Sequence, residues 1–141
     1  MDVALIISDC SVGNDEGSKT AVERARVLTE FGRAWSACDV HKLMELITDD
    51  CVYCASVGPE PGRQYVGRDA VRKGFEAMLA YDATGQSREG RSFVAGDLGV
   101  MEWSYVFSSA EGHPVEVRGC DIVEFRGLLI CRKDAFRKSF E

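Results

Sequence analysis

Apolar residues recur at helical spacing in three segments of the first half of the chain. In the longest, residues 20–38, they lie three or four positions apart with charged residues between them, as in an amphipathic helix. Asp39 is the predicted N-cap of a short second helix. A third helix is predicted to open at residues 67–71, with Asp69 as its cap.

The pattern changes to strand-like alternation in the second half. Residues 91–96, 99–109, 115–125 and 128–136 read as strands, and turns that contain Gly separate them. An earlier strand is predicted at residues 51–57. This order of elements predicts an α+β fold, a cone-shaped, curved antiparallel sheet with the three helices of the N-terminal half packed on its concave side. The open mouth of such a cone is a usual place for a small-molecule pocket.

The length of 141 residues fits a single domain, because either half alone would be too short to bury a core. The polar residues 11–18 predict that residues 1–18 form a flexible lead-in to a domain of residues 19–141. The net charge of −6 argues against a nucleic-acid partner. No apolar run could span a bilayer and no signal peptide is recognisable, so we expect a cytoplasmic protein without a membrane partner.

The cysteines and histidines give little support for metal or redox chemistry. The six cysteines are expected to be free thiols. Cys51 and Cys54 have the spacing of a metal-binding pair, but residues three apart in a strand point to opposite faces. With only His41 and His113, and with no nucleotide-binding glycine motif, we expect neither a metal nor a cofactor.

Asp121 is the leading candidate for a catalytic residue. On its face of strand 115–125 the other side chains are Val, Gly and Phe. The matching positions of strand 99–109 are Met101, Trp103, Tyr105 and Phe107, so the alternation places a carboxylate in an apolar, aromatic pocket. Burial disfavours the charged form of a carboxyl group, which suits it to acid/base chemistry near neutrality. The alternatives are a structural aspartate that accepts hydrogen bonds, or a shifted register that turns it to solvent.

Asp134, Tyr53 and Tyr105 are further candidates for catalytic groups. Asp134 lies in the last strand two residues from Arg132, so a surface ion pair is an equal alternative. A phenol on an apolar face can donate a hydrogen bond to a carbonyl or epoxide oxygen, although a core tyrosine with a satisfied hydroxyl is the alternative. The predicted substrate-binding residues are Trp103, Met101, Val117, Gly119 and Phe75.

The predicted pocket face contains no Arg or Lys. The basic run Arg132, Lys133, Arg137 and Lys138 is interpreted as a solvated strand edge. Because a buried unpaired charge is costly, we expect the pocket to reject anions and to bind a neutral, apolar cyclic molecule.

A homodimer is predicted from the opposite face of the sheet. On strand 115–125 this face carries Cys120 and Ile122 between charged residues, and strand 99–109 adds Val100 and Val106. Helices cover only one side of such a sheet, so this partly apolar face needs another cover. A C2 homodimer, packed sheet against sheet, would supply it.

Three stretches of the chain resemble the nuclear transport factor 2-like (NTF2-like) superfamily, which includes SnoaL-like polyketide cyclases, ketosteroid isomerases and limonene epoxide hydrolases. Residues 31–53 are similar to its opening helix pair and first strand. Residues 65–72 resemble its Gly-Arg-acid-Ala-Val helix start, and residues 120–125 with 130–136 resemble its closing hairpin. The resemblance covers roughly residues 20–141 and implies a cystatin-like α+β barrel and a homodimer.

The same resemblance implies a cofactor-free enzyme of SnoaL type, in which Asp121 is acid and base in the isomerisation or aldol-type cyclisation of an apolar cyclic substrate. An epoxide-hydrolase-like enzyme is an alternative, since Asp134 and Tyr53 resemble two residues that activate water in that family. The positions of its remaining Asp, Arg and Asn are occupied here by Tyr105, Trp103 and Ala55. A non-catalytic domain that binds a small molecule or docks a partner is a third reading, because one fold hosts many functions.

Overall fold

A computed structural model describes residues 15–140 of the chain. Its helices are α1 (Asp15–Ser36), α2 (Val40–Glu45) and α3 (Arg68–Tyr81). Its strands are β1 (Ile47–Cys54), β2 (Gln64–Val66), β3 (Gln86–Ala95), β4 (Leu98–Ser108), β5 (Pro114–Arg126) and β6 (Leu129–Arg137). The predicted lead-in lies outside the described residues up to position 14, whereas residues 15–18 already belong to α1. None of the described helices is both long and apolar enough to cross a membrane.

The strands form one curved sheet in the order β2-β1-β6-β5-β4-β3. Strand β1 pairs with β6 in parallel, and every other pair in the described chain is antiparallel. A parallel pair needs a long crossover, which the chain between β1 and β6 provides. The predicted α+β fold is therefore confirmed, with helices α1 and α3 against one face of the sheet.

The predicted N-cap of α2 is correct, and that of α3 is not. The side chain of Asp39 caps α2, because its Oδ1 accepts a hydrogen bond from the backbone N–H of Lys42 at 3.0 Å. Helix α3 instead has Gly67 as its N-cap, at a φ of +88° that favours glycine. The predicted cap Asp69 was therefore wrong by two positions. It lies in the first turn of α3, where its charge still complements the helix dipole.

The core lies between α1, α3 and the sheet, and its largest side chains are aromatic. Phe31 of α1, Phe75 of α3 and Tyr53 of β1 are each no more than 1% exposed. The ring of Phe75 lies 5.8 Å from that of Phe31 and 5.1 Å from that of Tyr53, between centroids. These contacts join α1 and α3 to the first strand on the helix-facing side of the sheet.

A β-bulge in β6 decides which of its side chains face the helices. Phe125 of β5 pairs with Ile130, but the preceding Glu124 pairs with Arg132, so Cys131 is an extra residue in β6. An extra residue reverses the alternation of the side chains that follow it. Beyond the bulge, the odd-numbered residues of β6 face the helices and the even-numbered ones face outward.

The outer face of the sheet leaves apolar side chains uncovered in the monomer. Phe93 is opposite Val100, which is opposite Ile122, and these side chains form a row across three strands. Ile122 is 40% and Phe93 is 60% exposed. We expect a dimer through this face, and Ile122→Lys should convert it to a monomer, while the control Glu23→Lys on the exposed side of α1 leaves it intact. Light scattering tests this, and a wild-type mass of 15.5 kDa at micromolar concentration would contradict it.

Candidate active site

A cavity of about 190 Å³ lies between α1 and the helix-facing side of the sheet. It occupies the place where the sequence predicts a small-molecule pocket. Most of its wall is apolar or aromatic, and the largest of these side chains are Phe31, Trp35, Tyr53, Met101, Trp103 and Tyr105. The predicted residues Tyr53, Met101, Trp103 and Tyr105 thus line one cavity.

Asp121 lies in this cavity and is 6% exposed. The indole Nε1 of Trp103 donates a hydrogen bond to its Oδ1 at 3.0 Å. The Nζ of Lys133 lies 3.2 Å from its Oδ2. Because each carboxylate oxygen has its own partner, the carboxylate is held in one orientation with a cation at one edge.

Lys133 is the main correction to the sequence-based picture of the site. It lies beyond the bulge in β6, faces the cavity and is 2% exposed, so the interpretation of the basic run as a solvated edge is wrong for this residue. Its ammonium lies 4.6 Å from the ring centroid of Trp35 and 4.5 Å from that of Tyr53. Two aromatic faces and one carboxylate therefore surround the charge, a setting that stabilises a cation.

A second ion pair lines the same cavity. Nη2 of Arg137, four residues after Lys133, lies 3.1 Å from Oδ2 of Asp82 at the end of α3. Burial raises the pKa of Asp82, and the guanidinium of Arg137 opposes this shift. The prediction of a pocket without Arg or Lys is therefore wrong, because the side chains of Lys133 and Arg137 both line it.

The cavity nevertheless carries balanced charge at these two pairs. Lys133 is compensated by Asp121, and Arg137 by Asp82. At either pair, an anionic ligand that binds without uptake of a proton would leave a carboxylate buried without its cation. Our expectation of a neutral ligand thus stays a prediction. Its reason is now that Lys133 and Arg137 are paired with carboxylates, and no longer that the pocket lacks cations.

The two candidate tyrosines differ in how their hydroxyls are satisfied. The hydroxyl of Tyr105 accepts a hydrogen bond from Nε1 of Trp35 at 2.8 Å. The hydroxyl of Tyr53 is buried and has no hydrogen-bond partner in the described part of the chain. Burial raises the pKa of Tyr53, and the charge of Asp121 adds to the shift, so this phenol stays protonated.

Tyr53→Phe should therefore stabilise the fold by about 1 kcal/mol, because it removes a buried polar group that no partner satisfies. Tyr105→Phe is the matched control, and it should cost about 1 kcal/mol because the N–H of Trp35 then loses its acceptor. Urea denaturation measures both changes. Equal losses from the two substitutions would show that the Tyr53 hydroxyl has a partner in solution.

Several predicted site residues lie outside the cavity. Asp134 faces outward from β6 as a consequence of the bulge, and its Oδ2 lies 3.5 Å from Nη2 of Arg132. Phe75 is fully buried in the core behind the wall. Val117 and Gly119 do not line the cavity either. A Cβ on Gly119 would collide with the ring of Trp103, so this glycine provides the space in which that indole lies.

Several solved structures share this fold. An NTF2-like protein of unknown function from Mesorhizobium loti is 25% identical, with a TM-score of 0.71 over 84% of this chain and 93% of that one. Bal32a, from a soil-derived mobile gene cassette, is 15% identical, with a TM-score of 0.72 over 85% and 92%. A candidate polyketide cyclase from Xanthomonas campestris pv. campestris is 14% identical, with a TM-score of 0.67 over 84% and 93%.

Comparison with family profiles agrees with the structural similarity, whereas comparison with individual curated proteins does not extend it. No curated protein gives a significant match to the sequence. The profile of the SnoaL-like domain matches residues 28–133, which include Asp121, Lys133 and the bulge between them. Because this match spans most of the described fold, the chain belongs to the SnoaL-like domain family.

Proposed function

We propose that the protein is a cofactor-free acid/base enzyme of SnoaL type that isomerises, or closes by an aldol-type step, a neutral cyclic carbonyl compound. The observation that carries this proposal is the ion pair of Asp121 and Lys133, whose side chains are 9% and 3% exposed in an aromatic cavity. A fixed carboxylate beside a fixed cation supplies a base and a partner for developing negative charge.

In the first step, Asp121 removes a proton from the carbon next to the substrate carbonyl. The C–H electron pair forms a C=C bond, and the carbonyl π pair moves to the oxygen to give an enolate. The protonated carboxyl group no longer neutralises Lys133, so the ammonium pairs with the enolate oxygen instead. The N–H of Trp103 holds Oδ1 of Asp121 and positions the carboxyl group for both directions of transfer.

In the second step, Asp121 returns the proton. For an isomerisation, the proton goes to a different carbon of the conjugated enolate, and Lys133 returns to the carboxylate. For an aldol-type closure, the enolate carbon attacks a second carbonyl group of the same molecule, and the proton neutralises the alkoxide that forms. Both routes start from the same enolate, and the residues of the cavity supply every proton.

Charge conservation favours this scheme in a cavity whose wall is mostly apolar. Before the proton moves, the ammonium of Lys133 is paired with the carboxylate of Asp121. Afterwards the same ammonium is paired with the enolate oxygen. No unpaired charge has to form in a medium of low dielectric, which would be expensive. The scheme therefore requires a neutral substrate, in agreement with the balanced charges of Asp121 and Lys133.

Deuterium exchange tests the proposal without knowledge of the natural substrate. The probes are 2-tetralone and 1-indanone, bicyclic ketones whose protons beside the carbonyl exchange slowly in neutral D₂O. The protein should accelerate this exchange in a saturable manner, as read by mass spectrometry. Binding of the ketones without faster exchange would support a binding domain instead. The epoxide-hydrolase alternative is not retained, because Asp134 faces away from the cavity.

A further inference from the structure

The ion pair of Arg137 and Asp82 takes no part in the proposed proton transfer. Nη2 of Arg137 lies 3.3 Å from Oδ1 and 3.1 Å from Oδ2 of Asp82, and both residues line the cavity. Their side chains are 18% and 10% exposed. An ion pair with so little solvent is expensive to bury, and a purely structural link between α3 and β6 could be apolar at lower cost.

Arg137 keeps hydrogen-bond donors that the protein does not use. Its Nε donates a hydrogen bond to Oγ of Ser56 at 3.4 Å, and its Nη2 donates to the carboxylate of Asp82. Within residues 16–140, no acceptor takes a hydrogen bond from its Nη1. A guanidinium has five N–H donors, so those on Nη1 are free for a ligand oxygen.

Trp103 connects this pair to the reacting pair. Its Nε1 donates to Asp121, while the guanidinium carbon of Arg137 lies 5.4 Å from its ring centroid. The indole of Trp103 therefore contacts one member of each ion pair in the cavity.

We propose that Arg137 and Asp82 form a second polar subsite, which binds a hydroxyl or carbonyl oxygen at the end of the substrate away from the reacting carbon. A hydroxyl group fits best, because it accepts from Arg137 and donates to Asp82. The substrate class is then a cyclic carbonyl compound with a second oxygen function. The assignment of the reacting end of the substrate to Asp121 and of its other end to Arg137 rests on the proposed function. The subsite itself rests on the geometry of Arg137 and Asp82.

Two matched ligands test the subsite by isothermal titration calorimetry. The wild-type protein should bind 6-hydroxy-2-tetralone roughly tenfold more tightly than 2-tetralone, as one charge-assisted hydrogen bond predicts. Arg137→Lys should remove this gain, because the shorter lysine side chain retains a charge near Asp82 but places no donor at the position of Nη1. If this variant fails to fold, the pair Asp82→Asn with Arg137→Gln removes both charges together and should remove the gain as well.

The ratio of the two affinities decides the proposal independently of catalysis. A gain in the wild type that both variants abolish supports the subsite, even if neither ketone undergoes exchange. Failure of the wild type to prefer the hydroxylated ketone overturns it, and so does a gain that persists in the variants. Exchange of 2-tetralone without any gain from the hydroxyl group would retain the proposed function and reject the subsite alone.

Discussion

Asp121→Asn should lower the rate of ketone exchange in D₂O by about 10²–10⁴-fold, the usual contribution of a positioned general base. The single oxygen of the amide replaces only one of the two acceptors that bind Trp103 and Lys133, and Lys133 loses its anion. Urea denaturation must therefore show that the variant is folded under the assay conditions before its rate is compared with that of the wild type. The loss should appear in kcat more than in KM, because the proton moves only in the transition state.

Asp134→Asn is the matched control for this loss. It removes a carboxylate from β6 that faces outward beside Arg132, at the position directly after Lys133. The exchange rate should stay within about twofold of the wild type, because surface substitutions have small effects. Equal losses from the two substitutions, or full activity of Asp121→Asn, would remove the base from the mechanism.

Lys133→Met should lower the free energy of unfolding by about 3–5 kcal/mol, the usual cost of removing one partner of a buried ion pair. The substitution retains much of the side-chain volume but leaves the carboxylate of Asp121 buried without its cation. It also removes the contacts of the ammonium with the rings of Trp35 and Tyr53. Urea denaturation at neutral pH measures the change.

Two further variants separate this charge effect from lost packing. Lys138→Met changes an exposed lysine just beyond β6 and should shift stability by less than about 0.5 kcal/mol. Asp121→Asn combined with Lys133→Met should recover much of the single loss, because no unpaired charge remains buried. If the double variant is as unstable as Lys133→Met alone, the loss comes from packing and the ion pair contributes little.

The buried carboxylate of Asp121 could be found from the sequence because β4 and β5 pair without interruption. From Leu98 opposite Glu124 to Ser108 opposite Pro114 the register is continuous, so simple alternation assigns both strands correctly. Asp121 and Met101 are directly opposite each other on the helix-facing side, as the pattern predicts. The helices were found for a similar reason, since their apolar stripes match the side that each one buries.

The cationic half of the site could not be found in the same way. The extra residue Cys131 reverses the alternation within β6, and no residue type near it marks the bulge. A continuous register makes Asp134 an inward residue and Lys133 an outward one, the opposite of their positions in the structure. A hydrophobic pattern is also a poor guide here, because the buried residue is a lysine held by an aspartate and two aromatic rings.

In the proposed mechanism, Asp121 takes up a proton when Lys133 pairs with an anionic ligand oxygen. The most direct test is titration of the protein with 4-nitrophenol, at a pH where this phenol is ionised in solution. Calorimetry in buffers of different ionisation enthalpy counts the protons, and absorbance reports whether the bound ligand stays ionised. We predict uptake of about one proton per bound phenolate in the wild type and none in Asp121→Asn. Phenolate binding without proton uptake in the wild type, or equal uptake in both proteins, would show that Asp121 is not the group that takes up the proton.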